Sequence, residues 1–208
     1  MKLYVSPRAP NPKRVRMFMA EKNMTDITLV PVDLNAHQHS EPSYVAKSPL
    51  SRVPVLELDD GTCISESRAI CTYLESLVPD NNLMGVDGLE RAQIEMADRL
   101  VEWYVLLPTM QWIRHVHPGL APLEKPQFPA FGESQAEKRG PGLDWLESTL
   151  GKQAFVAGKR FTIADITAFC TIEFSRLMKF KPAEAGYPHI QAWRDRVAQR
   201  ASASAGDN

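Results

Sequence analysis

Short apolar runs bounded by turn residues predict the strands of the first part of the chain. These runs lie at residues 2–5, 27–32, 55–58 and 62–64. Asp59-Asp60-Gly61 separates the last two runs and predicts a hairpin. The strands alternate with segments of helical spacing in the order β-α-β-α-β-β-α, which predicts a mixed sheet with helices packed on it.

Apolar residues with a period of about 3.6 predict the helices between and after these strands. The first helix is expected to begin near Pro12, with Asn11 as its N-cap. Its buried stripe consists of Val15, Phe18, Met19 and the stem of Lys22. The helix after the hairpin is expected to begin at Ser65 or Glu66. Its stripe consists of Ile70, Tyr73, Leu74 and Leu77.

The pattern beyond residue 79 is helical. Helices are expected at residues 89–116, 142–150, 161–178 and 188–201. The Pro- and Gly-rich stretch 118–141 predicts a long loop or a broken helix, and the small polar residues of 202–208 predict a disordered tail. The expected organisation is an α/β domain over 1–79, a linker over 80–88 and an all-helical domain over 89–201.

Composition narrows the class of protein without choosing a function. The 208 residues include 24 Lys and Arg against 25 Asp and Glu, and a net charge of −1 argues against nucleic-acid binding. The longest wholly apolar run, Trp103 to Leu107, is too short to cross a membrane. Three cysteines without CxxC spacing indicate a reduced, cytoplasmic compartment. No metal site is expected, because His115 and His117 lack a nearby third ligand.

The segment Arg52-Val53-Pro54-Val55-Leu56 places a proline directly before an apolar strand. Pro54 removes a hydrogen-bond donor from that strand, so it must lie at a sheet edge or in a special bend. A cis bond after Val53 would turn the N–H and C=O of Val53 outward, ready to pair with an extended, peptide-like ligand. A trans proline that starts an edge strand is the alternative, since only a few per cent of X–Pro bonds are cis.

Ser65-Glu66-Ser67-Arg68 lies where the helix after the hairpin begins. A carboxylate, a hydroxyl and the N–H groups of a helix N-terminus meet at such a position. They can bind both charged groups of an α-amino acid, with Ser67 and the N–H groups on the carboxylate and Glu66 on the ammonium. An ordinary N-cap with an acid in the first turn is the alternative interpretation.

Taken together, these motifs resemble those of the glutathione transferase superfamily over most of the chain. The matching segments are Val53-Pro54-Val55-Leu56, Glu66-Ser67-Arg68-Ala69-Ile70 and Phe161-Thr162-Ile163-Ala164-Asp165. The last of them reads as a capping box formed by Thr162 and Asp165. The resemblance implies a thioredoxin-like α/β N-terminal domain followed by an all-α C-terminal domain, with a cis Pro54 and a homodimeric assembly.

The resemblance also implies glutathione as co-substrate. The contacts implied by position are His39, Arg52, Val53, Pro54, Glu66 and Ser67. Val53 would pair its backbone with the cysteinyl part, while Glu66 and Ser67 would hold the γ-glutamyl end. His39 and Arg52 match the theta-type positions that reach the glycyl carboxylate. For His39, a solvent-exposed loop residue is the alternative.

The loop after the first strand should contain the group that activates the thiol. Lowering a thiol pKa from about 8.5 to about 6.5 requires roughly 2.7 kcal/mol, which one charge-assisted hydrogen bond and a helix N-terminus can supply together. The family's usual serine and cysteine positions fall on Ala9 and Pro10, which have no side-chain donor. Asn11 is therefore the first candidate, as in nu-type members, and Ser6 is the second. Helix capping by Asn11 is the competing interpretation.

Positive charge is concentrated around this loop, because the first 16 residues carry five bases and no acid. These bases are Lys2, Arg8, Lys13, Arg14 and Arg16. They would add positive potential where a thiolate would lie, although solvated bases on the first helix are the alternative.

The helical domain is expected to supply the pocket for a small hydrophobic electrophile. The candidates are Leu107, Met110, Gln111 and Arg114. The sequence thus predicts a glutathione transferase that transfers alkyl or aryl groups to glutathione, with detoxification as its general role. Two other functions stay open, a glutathione-dependent disulfide reductase and a binding or regulatory protein that has kept the fold without catalysis.

Overall fold

The computed structural model describes residues 1–7 and 9–205, which form two compact units. The first unit comprises residues 1–82 together with the described residues from 200 onward, and the second comprises residues 83–199. An α/β unit followed by a helical one confirms the predicted fold class. The division falls inside the predicted linker at 80–88, but the end of the chain returns to the first unit.

Within the described residues of the first unit, four strands form one mixed sheet. They are β1 (Lys2–Val5), β2 (Thr28–Pro31), β3 (Val55–Glu57) and β4 (Cys63–Ser65). The order across the sheet is β2-β1-β3-β4, with β1 parallel to β2 and antiparallel to β3. β3 and β4 form the predicted hairpin, in which Val55 pairs with Ser65.

The helices of the first unit begin and end close to the predicted positions, with one informative difference. They are α1 (Pro10–Glu21), α2 (Pro42–Val45) and α3 (Ser67–Leu77). The N-cap of α1 is Ala9, in an extended conformation, so the prediction of Asn11 as N-cap is wrong. Pro10 starts the helix because its fixed φ suits the first helical position. Asn11 consequently lies inside the first turn.

The predicted stripe of α1 is confirmed, since Val15, Phe18, Met19 and Lys22 are all buried. The ammonium of Lys22 lies 2.8 Å from the carboxylate of Glu75. It also donates to the carbonyls of Val78 and Asp80, at 2.8 and 2.9 Å. A buried lysine therefore joins the C-terminal ends of α1 and α3.

The predicted stripe of α3 is only partly correct. Ile70 and Leu74 are fully buried, but Leu77 is 44% exposed. Cys71 takes its place in the core, because the buried face of α3 runs through Ser67, Ile70, Cys71 and Leu74. Leu77 is the last residue of α3 and is exposed there although its spacing continues the buried face.

The end of the chain is ordered, so the prediction of a disordered tail over 202–208 is wrong for residues 202–205. Both guanidinium nitrogens Nε and Nη2 of Arg200 lie 2.7 Å from the carboxylate of Glu21 at the end of α1. Residues Ala201–Ser204 form a 3₁₀ turn in which Ser202 and Ala203 are buried. Residues 206–208 lie outside the described part. An ion pair with a distant helix orders a segment whose composition alone suggests disorder.

Among the described residues of the second unit, helices are joined by turns and loops, with an isolated bridge between Phe155 and Gly158. Its helices are α4 (Gly88–Val101), α5 (Leu107–Val116), α6 (Pro129–Lys138), α7 (Gly140–Leu150), α8 (Ile163–Ser175) and α9 (Pro188–Ala198). α6 occupies only part of the stretch 118–141, for which a long loop or a broken helix was predicted, and Pro129 starts the helix. None of the described helices is long and apolar enough to span a membrane.

The helix predicted over 89–116 is continuous but changes its winding in the middle. A π-helical turn, Glu102–Leu106, separates α4 from α5. Pro108 follows it, and in a regular α-helix its ring would clash with the carbonyl of Tyr104. The wider turn accommodates the proline without ending the helix.

Asp165, at the third position of α8, joins three elements of the second unit. Its carboxylate accepts from the backbone N–H of Thr162 at 3.0 Å, completing the predicted capping box. It also accepts from the N–H of Val156 and from Nε1 of Trp193, both at 2.9 Å. Complete burial raises the pKa of Asp165 to about 6, against the opposite effect of these donors.

Replacing Asp165 by alanine is expected to lower the free energy of unfolding by at least about 3 kcal/mol, because several buried donors lose their acceptor at once. Urea denaturation followed by circular dichroism measures the change. Asp195→Ala is the matched control, since Asp195 is exposed on α9 and its pair with Arg194 should contribute less than about 1 kcal/mol. Equal losses for the two variants would contradict the role assigned to Asp165.

Candidate functional site

The peptide bond between Val53 and Pro54 is cis, as the resemblance implies. Pro54 is buried and Val53 is half-buried. Among the described residues, neither the backbone N–H nor the C=O of Val53 has a hydrogen-bond partner. A donor and an acceptor on one residue are therefore available to an extended ligand, as a strand edge offers them.

The loop before this bond is held by two side chains that the sequence did not single out. The carbonyl of Arg52 accepts from the hydroxyl of Tyr44 at 2.8 Å and from that of Ser48 at 3.0 Å. The Ser48 hydroxyl also accepts from the N–H of Arg52 at 2.9 Å. Burial raises the pKa of Tyr44, so its hydroxyl remains a donor. These bonds restrict the backbone directly before Val53.

The N-terminus of α3 forms a second polar feature of the first unit. Glu66 is its N-cap residue, has a φ of 67° and makes no capping bond through its exposed side chain. Positive φ values are costly for a residue with a Cβ and concentrate at functional positions. Ser67, which follows it, is only 4% exposed.

The hairpin brings these two features to the same end of the sheet. Val55 pairs with Ser65 across β3 and β4. Val53 lies two residues before Val55, and Ser67 lies two residues after Ser65. Because β3 and β4 are antiparallel, Val53 and Ser67 leave the sheet at the same end. The open backbone of Val53 and the start of α3 therefore lie beside each other.

A buried guanidinium lies behind Ser67. Arg14 of α1 is 2% exposed, and its Nη1 donates to Oγ of Ser67 at 3.0 Å. Sequence reasoning placed Arg14 only among the bases near the N-terminus. Its spacing carried a clearer signal, because Arg14 precedes Phe18 and Lys22 by four and eight residues and so belongs to the buried face of α1.

The candidate activating residues lie at the start of α1. Ser6 is 9% exposed, and its carbonyl accepts from the N–H of Ala9 at 3.4 Å. Since Pro10 and Pro12 have no N–H, Asn11 supplies the one backbone donor among the first three helical positions. Its half-buried carboxamide has no hydrogen-bond partner among residues 1–7 and 9–205.

The remaining glutathione candidates of the first unit differ in exposure. His39 is half-buried in the 3₁₀ turn Gln38–Ser40, with its ring 5.8 Å from that of His37. The side chain of Arg52 is exposed to solvent. The ring of His39 is thus partly accessible to solvent, and its role in binding stays a prediction.

The candidates of the second unit lie on α5. Leu107 is 40% exposed, and Met110 and Gln111 are half-buried. Arg114 forms an ion pair with Glu124 in the segment that follows the helix, and its Nε lies 2.7 Å from the Glu124 carboxylate. His115 accepts through Nδ1 from the N–H of Phe128 at 3.1 Å, so it holds the same segment. Within the described residues, no cluster of three or more His, Cys, Asp or Glu could hold a metal ion.

A thioredoxin-like sheet with a cis proline beside an open backbone, followed by a helical unit, defines the class of two-domain proteins whose first domain is thioredoxin-like. A family model described as the N-terminal domain of glutathione S-transferase matches residues 3–82, and one for the C-terminal domain matches residues 112–201. Glutathione S-transferase 2 of Saccharomyces cerevisiae is 36% identical over 204 residues, covering 97% of this chain and 87% of that protein. The chain belongs to the glutathione S-transferase family.

Solved structures agree with this assignment. The crystal structure of a glutathione S-transferase domain-containing protein from Marinobacter aquaeolei superposes with a TM-score of 0.91 at 39% identity, covering 97% of this chain and 99% of that one. The crystal structure of Gtt2 from Saccharomyces cerevisiae also gives a TM-score of 0.91, at 35% identity, covering 97% of this chain and 98% of that one.

Removal of the Ser48 hydroxyl is expected to lower the free energy of unfolding by about 1–3 kcal/mol, because the part-buried N–H and carbonyl of Arg52 lose the partner that they share. Thermal and urea unfolding of Ser48→Ala measure the loss. Ser40→Ala serves as the control, since Ser40 is exposed and its change should stay within about 0.5 kcal/mol. A Ser48→Ala protein as stable as the control would show that Tyr44 alone holds the loop.

Proposed function

We propose that the protein is a glutathione transferase that binds glutathione along the first unit and activates its thiol as a thiolate. The thiolate then attacks a small hydrophobic electrophile, the new sulfur bond forms, and the leaving group departs with the bonding electrons. The observation that carries this proposal is the open backbone of Val53 beside a cis proline. It supplies the donor and acceptor that a cysteinyl residue of a bound peptide would need.

The two ends of glutathione would be held on either side of this contact. Glu66 would accept from the γ-glutamyl ammonium, while Ser67 and the start of α3 would donate to the α-carboxylate. His39 and Arg52 would donate to the glycyl carboxylate. Support for this arrangement comes from the hairpin pairing, which puts Val53 and Ser67 at one end of the sheet.

Activation of the thiol is assigned to Asn11, with Ser6 as the second candidate. The carboxamide of Asn11 can donate to a thiolate, and its own backbone N–H adds a donor at the positive end of α1. With proline on both sides, no competing backbone donor of the first turn could take over this role.

The electrophile would contact apolar side chains of the second unit, including Leu107 and Met110, with Gln111 as a polar contact. Arg114 would act at a distance by holding the segment after α5, because its guanidinium is already bound to Glu124. We propose that the enzyme works in the cytoplasm, because free cysteines persist in that reducing compartment. Its general role there would be the detoxification of electrophiles.

We further propose that the active form is a homodimer. Leu89, Met96 and Trp103 follow one another at intervals of seven residues along α4 and the π-helical turn. They are 69%, 59% and 60% exposed, so none of the residues that the structure describes covers this apolar stripe of the second unit. A second copy that presents the same stripe would cover it, as twofold symmetry requires.

Replacement of Asn11 by alanine is expected to raise the pKa of the bound glutathione thiol by about one to two units, since a charge-assisted hydrogen bond contributes roughly 1.5–3 kcal/mol. The thiolate absorbance of the binary complex, recorded against pH, measures this value. Turnover of a chloro-nitroaromatic should fall in parallel at neutral pH. Ser6→Ala is the comparison, with a smaller expected change.

The same preparations separate the competing functions. Retention on immobilised glutathione with turnover of the nitroaromatic supports the transferase. Preferential turnover of a small disulfide would favour a glutathione-dependent disulfide reductase, and retention without any turnover would favour a binding protein. Failure of the wild-type protein to bind glutathione would refute the proposal, and an unchanged thiol pKa in Asn11→Ala would refute the assignment of Asn11.

Replacement of Trp103 by glutamate is expected to weaken the dimer by at least tenfold in its dissociation constant, because a charge would enter an apolar contact. Sedimentation equilibrium over a range of protein concentrations measures the constant. Leu177→Glu is the control, since Leu177 is 44% exposed but belongs to the turn after α8 and not to the stripe. A wild-type protein that stays monomeric at high concentration would contradict the proposed assembly.

A further inference from the structure

Arg139, which lies between α6 and α7, is a buried cation for which the described residues supply no anion. The residue is 8% exposed, and its guanidinium makes no hydrogen bond or ion pair with any residue that the structure describes. Buried charges are normally paired, because their desolvation is otherwise uncompensated. Loss of water lowers the pKa of Arg139 to about 10, against the opposite effect of Tyr187, so the side chain is still a cation at neutral pH.

Two aromatic rings hold this guanidinium in place. Its Cζ lies 4.2 Å from the ring centroid of Trp112 on α5. It lies 4.3 Å from that of Phe180, which follows the turn after α8. The rings attract the cation through their faces, whereas its N–H groups donate in the plane of the guanidinium. The aromatic contacts therefore orient these donors without satisfying them.

Two polar groups on α5 also lack a partner within the described part of the chain. Nε1 of Trp112 is buried and has no hydrogen-bond partner, and the same holds for Oγ1 of Thr109, about one helical turn earlier. The indole N–H belongs to the ring over which Arg139 lies, so the contact combines two kinds of unfilled donor. Such a set of donors is suited to an acceptor that carries negative charge.

The guanidinium of Arg139 is accessible from solvent. Unlike Nε1 of Trp112, its unpartnered nitrogens are not completely sealed from water. Apolar surface adjoins it, since the half-buried rings of Phe180 and Tyr187 lie 6.4 Å apart. A small solute can thus reach the donors without unfolding the unit.

The charges around this contact also favour an anion. Lys138 and Lys179 each directly precede a residue of the contact in the chain, and both are exposed without an ion pair to any described residue. The neighbouring acids are already engaged. Asp144 accepts from the hydroxyl of Tyr187 at 3.2 Å, and Glu147 accepts from two N–H groups at the start of α9.

This contact lies on the opposite side of α5 from the candidates for the electrophile pocket. At about 100° per residue, Thr109 and Trp112 project to one face of the helix. The four α5 candidates for the electrophile pocket project to the other face. A ligand held by Arg139 would therefore be distinct from both substrates of the proposed transferase.

We propose that Arg139 and Trp112 form a binding site for a small carboxylate. Its two oxygens would accept from the fork of the guanidinium, as in bidentate pairs of arginine with an acid, and the indole N–H would donate a further bond to one of them. A planar carboxylate is favoured over a tetrahedral oxyanion, because the rings leave only the edge of the guanidinium free. This inference goes beyond the proposed function and does not depend on glutathione binding.

An NMR titration of isotope-labelled protein with sodium acetate tests this site, with sodium chloride keeping the ionic strength constant. The indole N–H signal of Trp112 is identified by its absence in Trp112→Phe. It should shift in a saturable manner, with a dissociation constant on the order of 1 mM for so small a ligand. Methyl acetate, which is neutral, should cause no saturable shift. Sodium phosphate should bind at least about tenfold more weakly than acetate.

Replacement of Arg139 by methionine should weaken acetate binding at least about tenfold, as expected when charge-assisted bonds are lost. Lys138→Met is the matched control, because it removes a positive charge from the neighbouring exposed position. It should change the dissociation constant by less than about twofold. Should Arg139→Met fail to fold, Arg139→Lys keeps the cation without the planar fork and should also bind acetate at least about fivefold more weakly.

Three results would overturn the proposal. A Trp112 signal of the wild-type protein that shows no saturable shift with acetate refutes the site. Acetate affinity at the wild-type level in Arg139→Met or Arg139→Lys also refutes it, because the guanidinium would then serve packing alone. Equal affinities for acetate and phosphate refute the assignment to a planar carboxylate. These titrations contain no glutathione, so their failure would leave the proposed transferase function unaffected.

Discussion

The pairing of Val55 with Ser65 is the constraint on which the candidate site depends. It joins β3 to β4 in one register, and both chain segments leave the sheet at the same end. One of them continues into the cis bond before Pro54, and the other continues into the N-terminus of α3. A shift of one residue would turn the following side chains to the opposite face and separate the two halves of the site.

Buried charged groups hold the elements around this hairpin in place. Arg14 connects α1 to the start of α3, and Lys22 connects the ends of the same two helices. In the second unit, the carboxylate of Asp165 connects the start of α8 to Trp193 of α9 through hydrogen bonds. Removing one partner from such a contact leaves a buried charge or donor without compensation, so each of them specifies one arrangement of its neighbours.

Local signals in the sequence were sufficient for most of the fold. The β3–β4 hairpin, the stripe of α1 and the capping box of α8 depend on residues within a few positions of one another, and all three are confirmed. Apart from the stripe of α3, the errors in helix bounds lie where a proline has two possible roles. Pro10 and Pro129 start helices, whereas a proline-rich segment by itself is equally typical of a loop. The ordered end of the chain was also missed, because its partner, Glu21, is about 180 residues away.

By itself, the sequence determined the class of the fold and predicted the residue types of the candidate site, because periodicity, turn residues and motifs such as Glu66-Ser67 are local properties of the chain. Only the tertiary structure decided which groups face each other. Arg14 behind Ser67, and Tyr44 and Ser48 on the carbonyl of Arg52, follow from the packing of separate elements. The physical reason is that burial and hydrogen-bond direction belong to pairs of distant residues, and no spacing along one segment records them.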